Sequence, residues 1–146
     1  MKDEVFFDTN IIAYAFDKSE PRKKKICERL VERVFKGEIR GCVSNQVLGE
    51  LFVVLTEKIG KPISRETARI IVEAFIESDK WKKIDYSSLT VKKALVNAER
   101  VKASFWDILI VETMKENKVS KIYTENEKDF RKIGGVEVIN PFKSQV

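Results

Sequence analysis

The sequence predicts an α/β protein, with a central and mainly parallel sheet flanked by helices in three layers, and three observations predict it. Short runs rich in β-branched and aromatic residues alternate along the chain with longer segments of helical periodicity. No repeat, low-complexity tract or Pro/Gly-rich linker interrupts the alternation. Polar residues follow directly after several of the apolar runs. In a parallel sheet that places them at one edge, where such sheets bind their ligands. The 146 residues suit one domain, 1–146, with one sizeable core.

Each element has its own signal. Val5-Phe6-Phe7-Asp8 reads as a buried strand. Ser19-Glu20-Pro21 is a helix start, because proline is tolerated in the first turn. That helix carries Ile26, Leu30, Val31, Val34 and Phe35 on one face and stops at Gly37. Residues 39–43 form a short strand, and residues 45–58 are helical, closed by Gly60 and Pro62. Ser64 caps a further helix bearing Ala68, Ile71, Val72, Phe75 and Ile76. Residues 81–85 read as a short strand or an extended link. A helix follows with Val91, Ala94, Leu95, Ala98 and Val101 in register, and another runs over about 105–117. Residues 121–124 and 136–139 are the last two strands, both short and β-branched.

Composition excludes several classes. Hydrophobic residues make up 43%, enough for a packed core. No stretch approaches the roughly 20 apolar residues that span a bilayer, so no membrane partner is expected. The start, Met1-Lys2-Asp3-Glu4, is charged and lacks a signal-peptide apolar region, which leads to the expectation of a cytoplasmic protein. Cys27 and Cys42 stand far apart, make no C-x-x-C motif and read as buried reduced thiols. With no histidine in the chain, a zinc site is disfavoured. The net charge of +5 and pI near 9.1 weakly favour a polyanionic partner such as nucleic acid. The run Arg22-Lys23-Lys24-Lys25 reads first as a solvated helix face, and Gln46 and Gln145 are the only glutamines. With 35% charged residues this resembles a thermophile's composition.

Three acids occupy positions where acids are rare. Asp8 ends an apolar run. Glu50 lies on the row Val47, Glu50, Leu51, Val54, and Asp107 on the row Asp107, Ile110, Val111, Met114. Both rows mark one face of a helix. Carboxylates facing a core are seldom buried without a partner, and imidazole is not available here. Two charges about 4 Å apart cost about 4 kcal/mol at an effective dielectric near 20. Three in one pocket must take up protons or hold a cation. Magnesium and manganese suit oxygen ligands and retain waters. A carboxylate-bound Mg²⁺ orients phosphate, activates water and offsets developing charge, the requirements of phosphodiester hydrolysis. Each acid also has an ordinary reading. Asp8 can form a turn at a strand end. Glu50 can pair with a lysine. Asp107 can be a first-turn acid behind a Ser104 N-cap.

Four segments together resemble the PIN domain, in its VapC-like toxin ribonuclease form. They are Phe7-Asp8-Thr9-Asn10-Ile11-Ile12, Val47-Leu48-Gly49-Glu50-Leu51, Ser104-Phe105-Trp106-Asp107-Ile108-Leu109-Ile110 and Tyr123-Thr124-Glu125-Asn126. The closing Val136-Glu137-Val138-Ile139-Asn140-Pro141-Phe142 is similar to the family's last strand and its exit. The resemblance implies Mg²⁺- or Mn²⁺-dependent cleavage of single-stranded RNA, with Asp8, Glu50 and Asp107 as metal-binding acids. Thr9 and Asn10 match small polar residues beside the first acid, although Asn10 also reads as a helix cap. Ser104 and Thr124 match hydroxyls that orient acids. A homodimer and, for a toxin, an antitoxin that occludes the acidic pocket are also implied.

One position departs from the pattern. Many relatives have an acid two residues after the threonine, and here Asn126 stands there. Asp129 is the first substitute for the missing charge, with Glu125, Glu127 and Glu112 behind it. The departure leaves a rival reading: a degenerate PIN domain that binds RNA or protein and cuts nothing. A haloacid dehalogenase-type phosphatase fits poorly, because it needs an acid where Asn10 stands. Around the site, Arg22 to Lys25 and Lys102 are candidates for phosphate contacts. Phe105 and Trp106 are expected mainly in the core, with base stacking as the alternative.

Overall fold

The computed structural model describes residues 3–143, so Met1, Lys2 and Gln145, with the other ends of the expected 1–146 domain, lie outside the described residues. Val5, Phe6 and Phe7 are buried, which is what a strand covered on both faces requires. They form β1 (Glu4–Phe7), the middle of a five-stranded sheet. The chain continues through α1 (Thr9–Tyr14), α2 (Pro21–Phe35), β2 (Arg40–Ser44), α3 (Asn45–Val53), α4 (Arg65–Glu77) and β3 (Trp81–Ile84). It closes with α5 (Ser88–Ala98), α6 (Phe105–Glu116), β4 (Lys121–Tyr123), α7 (Glu127–Ile133) and β5 (Glu137–Ile139). The strand order is β3-β2-β1-β4-β5 and every pairing is parallel. Helices flank the sheet, the predicted fold class. The chain lays strands to one side of β1, then returns to the other side, so the order reverses between β1 and β4. Crevices at such reversals are the ligand sites of open parallel sheets.

Local chemistry sets the helix starts. Ser44 Oγ accepts the Val47 N–H at 3.2 Å, and Ser64 Oγ accepts the Thr67 N–H at 3.1 Å. Ser87 and Thr90 form a reciprocal capping box at the start of α5. Pro21 opens α2, and Gly37, at φ 79°, follows its end. Close packing of α2 on β2 depends on Gly41. A Cβ there would lie 2.6 Å from Val34 Cγ1 and 2.9 Å from Trp81 Cζ3. Trp81 lies within 4.9 Å of both Phe7 and Phe75, ring centre to ring centre, and Phe35 and Tyr123 extend this aromatic cluster. Cys27 and Cys42 are buried free thiols, and burial pushes both up to about 12.

Three differences from the sequence reading, and one alternative it left open, have physical reasons. The helix expected over 45–58 is α3 followed by a π-helical turn, Val54–Lys58. Within it the Ile59 N–H reaches back to the Val54 carbonyl at 3.2 Å. Residues 81–84 are a true strand, because Trp81 is buried and aligned beside Gly41. On α5 the buried positions are Thr90 and Ala94, while Leu95 is 55% exposed. The Thr90 hydroxyl donates to Glu116 Oε1 of α6 at 2.5 Å, which turns that face inward. The short helix α7 carried signals that went unread: acids Glu127 and Asp129 in its first turn, bases Arg131 and Lys132 in its last, and Gly134 at φ 74° beyond.

Candidate active site

The acidic edge is built outward from Asp8, which is 6% exposed at the carboxyl end of β1. Its side chain caps α1 by accepting the Thr9 N–H at 2.8 Å on Oδ1. Oδ2 accepts from the Thr124 hydroxyl at 2.7 Å and from Asn10 Nδ2 at 3.4 Å. Thr124 is fully buried at the end of β4, the strand beside β1, and the Asp8 N–H donates to the Tyr123 carbonyl at 3.0 Å. The two strand ends on either side of the order reversal are thus joined by one carboxylate. Asn10 lies inside the first turn of α1 and does not cap it; that role falls to Asp8.

Glu50 comes to the same edge from α3. Its Oε2 accepts from the Thr9 hydroxyl at 3.1 Å, and its Oε1 from Gln46 Nε2 at 2.8 Å. Gln46 was not among the expected site residues, although its position four residues before Glu50 on one helix was a usable signal. Its amide also reaches the Trp106 carbonyl at 3.5 Å, linking α3 to α6. Asp107 stands in the first turn of α6 and accepts from Asn126 Nδ2 at 2.7 Å. The same Nδ2 lies 3.4 Å from Asp129 Oδ2, so Asn126 bridges the two acids. Its own N–H donates to the Thr124 hydroxyl oxygen at 3.0 Å.

The remaining expected residues divide. Ser104 stands at the N-cap of α6 with no side-chain capping bond. Glu125 turns away to Lys23 and to the Tyr14 hydroxyl, the latter at 2.6 Å. Glu127 pairs with Arg131 and Lys143, and Glu112 with Lys115. Of the four stand-ins for the missing acid, Asp129 is the one whose carboxylate shares a donor with the acidic edge, while Glu125 reaches it through its backbone N–H, which donates to Asn10 Oδ1 at 3.4 Å. In the basic run, Lys23 and Lys24 already hold Glu125 and Glu28, and Arg22 reaches the Phe142 carbonyl. Trp106 corrects its expected core role: it is 55% exposed, whereas Phe105 packs partly against Ile108 and Leu109.

Electrostatics at this edge run against ionisation. Burial raises the Asp8 carboxyl above its ordinary range and outweighs the Thr124, Thr9 and Asn10 hydrogen bonds, while the charge of Glu50 adds to the rise. Burial first, then the charges of Asp8, Asp129 and Glu50, push Asp107 up to about 7 against the opposing Asn126 bond. Among the described residues, no lysine or arginine pairs with Asp8, Glu50, Asp107 or Asp129. Uncompensated carboxylates of this kind fit a small divalent cation. Among the described residues no three acids or thiols close tightly enough to enclose an ion. Mg²⁺ and Mn²⁺ accept that arrangement, because they bind through one or two carboxylates and keep several waters.

A parallel sheet that gathers carboxylates from β1, α3, α6 and α7 beside a strand-order reversal has the architecture of the PIN nucleases. The PIN domain family model matches residues 5–136, and the chain belongs to that family, whose members are typically metal-dependent nucleases. No curated protein matches the chain. Among solved structures it is similar to Mycobacterium tuberculosis VapC20, a toxin that cleaves the sarcin-ricin loop. The two are 22% identical, with 92% of this chain and 98% of that one covered and a TM-score of 0.69. It is also similar to VapBC2 from Rickettsia felis, bound to a DNA fragment from its promoter (20% identity, 94% and 98% covered, TM-score 0.67). A toxin–antitoxin complex from Klebsiella pneumoniae shares 19% identity, with 94% and 97% covered and a TM-score of 0.64. At these identities the likeness is one of fold.

Proposed function

We propose that the protein is a Mg²⁺- or Mn²⁺-dependent endoribonuclease that hydrolyses phosphodiester bonds of single-stranded RNA, as the toxin of a toxin–antitoxin pair. One observation carries this reading: Asp8 and Asp107, both raised by burial, share an edge with Glu50, and among the described residues no basic side chain pairs with them. Asp8, Glu50 and Asp107 would hold the ion, directly or through its waters, with Asp129 beside them. When bound, the ion supplies phosphate orientation, water activation and charge compensation. The chain's other residues prepare the acids. Thr124, Asn10 and the Thr9 N–H favour the ionised form of Asp8. Thr9 and Gln46 fix the Glu50 carboxylate from both oxygens. Asn126 bridges Asp107 and Asp129 with one amide, in place of the acid many relatives have there.

Purified protein with Mn²⁺ is expected to cleave single-stranded RNA, leaving 5′-phosphate ends, and Asp8→Asn or Asp107→Asn to abolish cleavage. Wild-type rates in both variants would place the activity elsewhere.

Asn126 also supports a second reading, a PIN domain that binds RNA or protein without cutting. Metal titration separates the two. A competent site binds Mn²⁺ and loses affinity in Asp8→Asn; a pure binding module shows no such dependence. The toxin reading brings two partners, an antitoxin and a second copy of the chain. Ile70 and Ile76, 54% and 48% exposed on α4, support that helix as a contact face. No helix of the described residues is long and apolar enough to cross a membrane. A cytoplasmic setting is part of the same proposal.

A further inference from the structure

Trp106 combines three properties. It is 55% exposed, it directly precedes Asp107, and its carbonyl is tied through the Gln46 amide to the Glu50 side chain. The Trp106 backbone therefore stands where α3 and α6 meet, one residue before an acid of the edge, and its indole is open to solvent. The neighbouring surface of α3 is open: Asn45 and Gly49 are exposed, and nothing lies within 4 Å of where a Gly49 Cβ would be. Phe105 meets the indole edge-on, with ring centres 5.4 Å apart, and is itself anchored against Ile108 and Leu109. That contact steadies the ring without covering it.

An acidic edge repels the phosphate chain it is meant to receive. Among the described residues no lysine or arginine pairs with these acids, so an uncharged contact nearby would add affinity that their charge does not oppose. A nucleobase stacked on an indole is such a contact, worth roughly 5- to 100-fold in affinity. Only a base outside a duplex offers a free face. We propose that Trp106 stacks on an unpaired base beside the phosphate that the acids engage, and so selects single-stranded over paired nucleic acid. The proposal rests on the nuclease reading for what happens to that phosphate, but the stacking contact itself does not require cleavage.

The two tryptophans make the test clean. Trp81 is 1% exposed in the aromatic cluster, so quenching by a solute in water reports Trp106. In the Asp107→Asn protein, which prevents turnover, a single-stranded oligoribonucleotide is expected to quench the exposed emission. A hairpin of the same composition should quench it far less. Trp106→Ala should weaken oligonucleotide binding roughly 5- to 100-fold. In the Asp107 protein it should raise KM more than it lowers kcat, and Trp106→Phe should recover part of the loss. Trp81 emission and circular dichroism confirm that each variant is folded.

Unchanged oligonucleotide affinity and KM in Trp106→Ala overturn the proposal. So does a variant that alters only self-association in sedimentation, which would assign the indole to a protein contact. Quenching by single strands without cleavage under any metal supports the stacking and removes the nuclease reading. Cleavage at wild-type KM in Trp106→Ala removes the stacking and leaves the nuclease reading standing.

Discussion

Phe7 and Asp8 are consecutive residues with opposite surroundings. Phe7 meets Trp81 and Tyr123 edge-on at 4.9 and 5.2 Å, in an aromatic cluster that also takes in Phe75 and, at its exposed margin, Phe35. Asp8, one step along the strand, is just as deeply placed and faces other acids. Burial stabilises the fold at the first position and opposes ionisation at the second. The strand thus holds the protein together up to Phe7 and places a strained charge immediately after it. The anchor of the fold and the proposed metal site are separated here by a single peptide unit.

The contrast is broken most severely from the aromatic side. Phe7→Ala or Trp81→Ala should cost about 3–5 kcal/mol in a urea titration, through lost burial and the cavity left behind. A loss under about 1 kcal/mol would mean that the cluster repacks and is not the anchor it resembles.

From the acidic side the sign should reverse. An acid whose folded pKa lies above its unfolded value binds its proton more tightly when folded, so stability falls as pH rises between the two. For Asp107 that window runs from 3.8 to about 7. Metal-free protein should therefore be more stable at pH 5 than at pH 8. Asp107→Asn should flatten the difference and, at pH 8, add about 1–2 kcal/mol after allowance for the open side of the site. Thermal melts in a chelator across that range decide it; a destabilised Asp107→Asn protein sinks the idea.

Metal should produce a comparable effect from the other direction. Mn²⁺ at ten times its dissociation constant should stabilise the wild type by about 1.4 kcal/mol. The gain should be much smaller in Asp8→Asn. Equal melting shifts in the two proteins would locate the ion elsewhere.

The smallest change is Thr124→Val, which removes one hydroxyl from a buried carboxylate at nearly constant shape. It should raise the Asp8 pKa further and cost about 1 kcal/mol or less at neutral pH. Its larger signature is a weaker Mn²⁺ affinity, by about 10-fold. Unaltered metal affinity would show that the hydroxyl supports β4 alone.

Much of this arrangement was legible in the chain because its signals are local and mutually consistent. The run through Phe7 gave β1, the periodicity of α2 gave Leu30, Val31 and Val34 of its buried face although Phe35 is exposed, that of α3 gave Val47 and Leu51, and Ser64 gave the start of α4. Resemblance to one family then brought the distant acids together, which no single spacing does. What escaped depends on tertiary neighbours. Trp106 belongs to a helix that buries Ile108 through Met114 almost all round, so no polar face marks where its first turn leaves the core. Leu95 lost its expected place because a Thr90–Glu116 bond sets which side of α5 turns inward. Gln46 and Asn126 became visible as bridges only once α3, α6 and α7 were side by side.

The double duty of Asp8 constrains how this protein can change over generations. One oxygen starts a helix and the other accepts from Thr124, so the cap cannot be lost without losing the acid as well. If the proposed cleavage is right, a descendant released from selection on it still needs a cap there. Its drift at position 8 should run to asparagine or serine, which keep the helix start, and should avoid alanine, which keeps neither task.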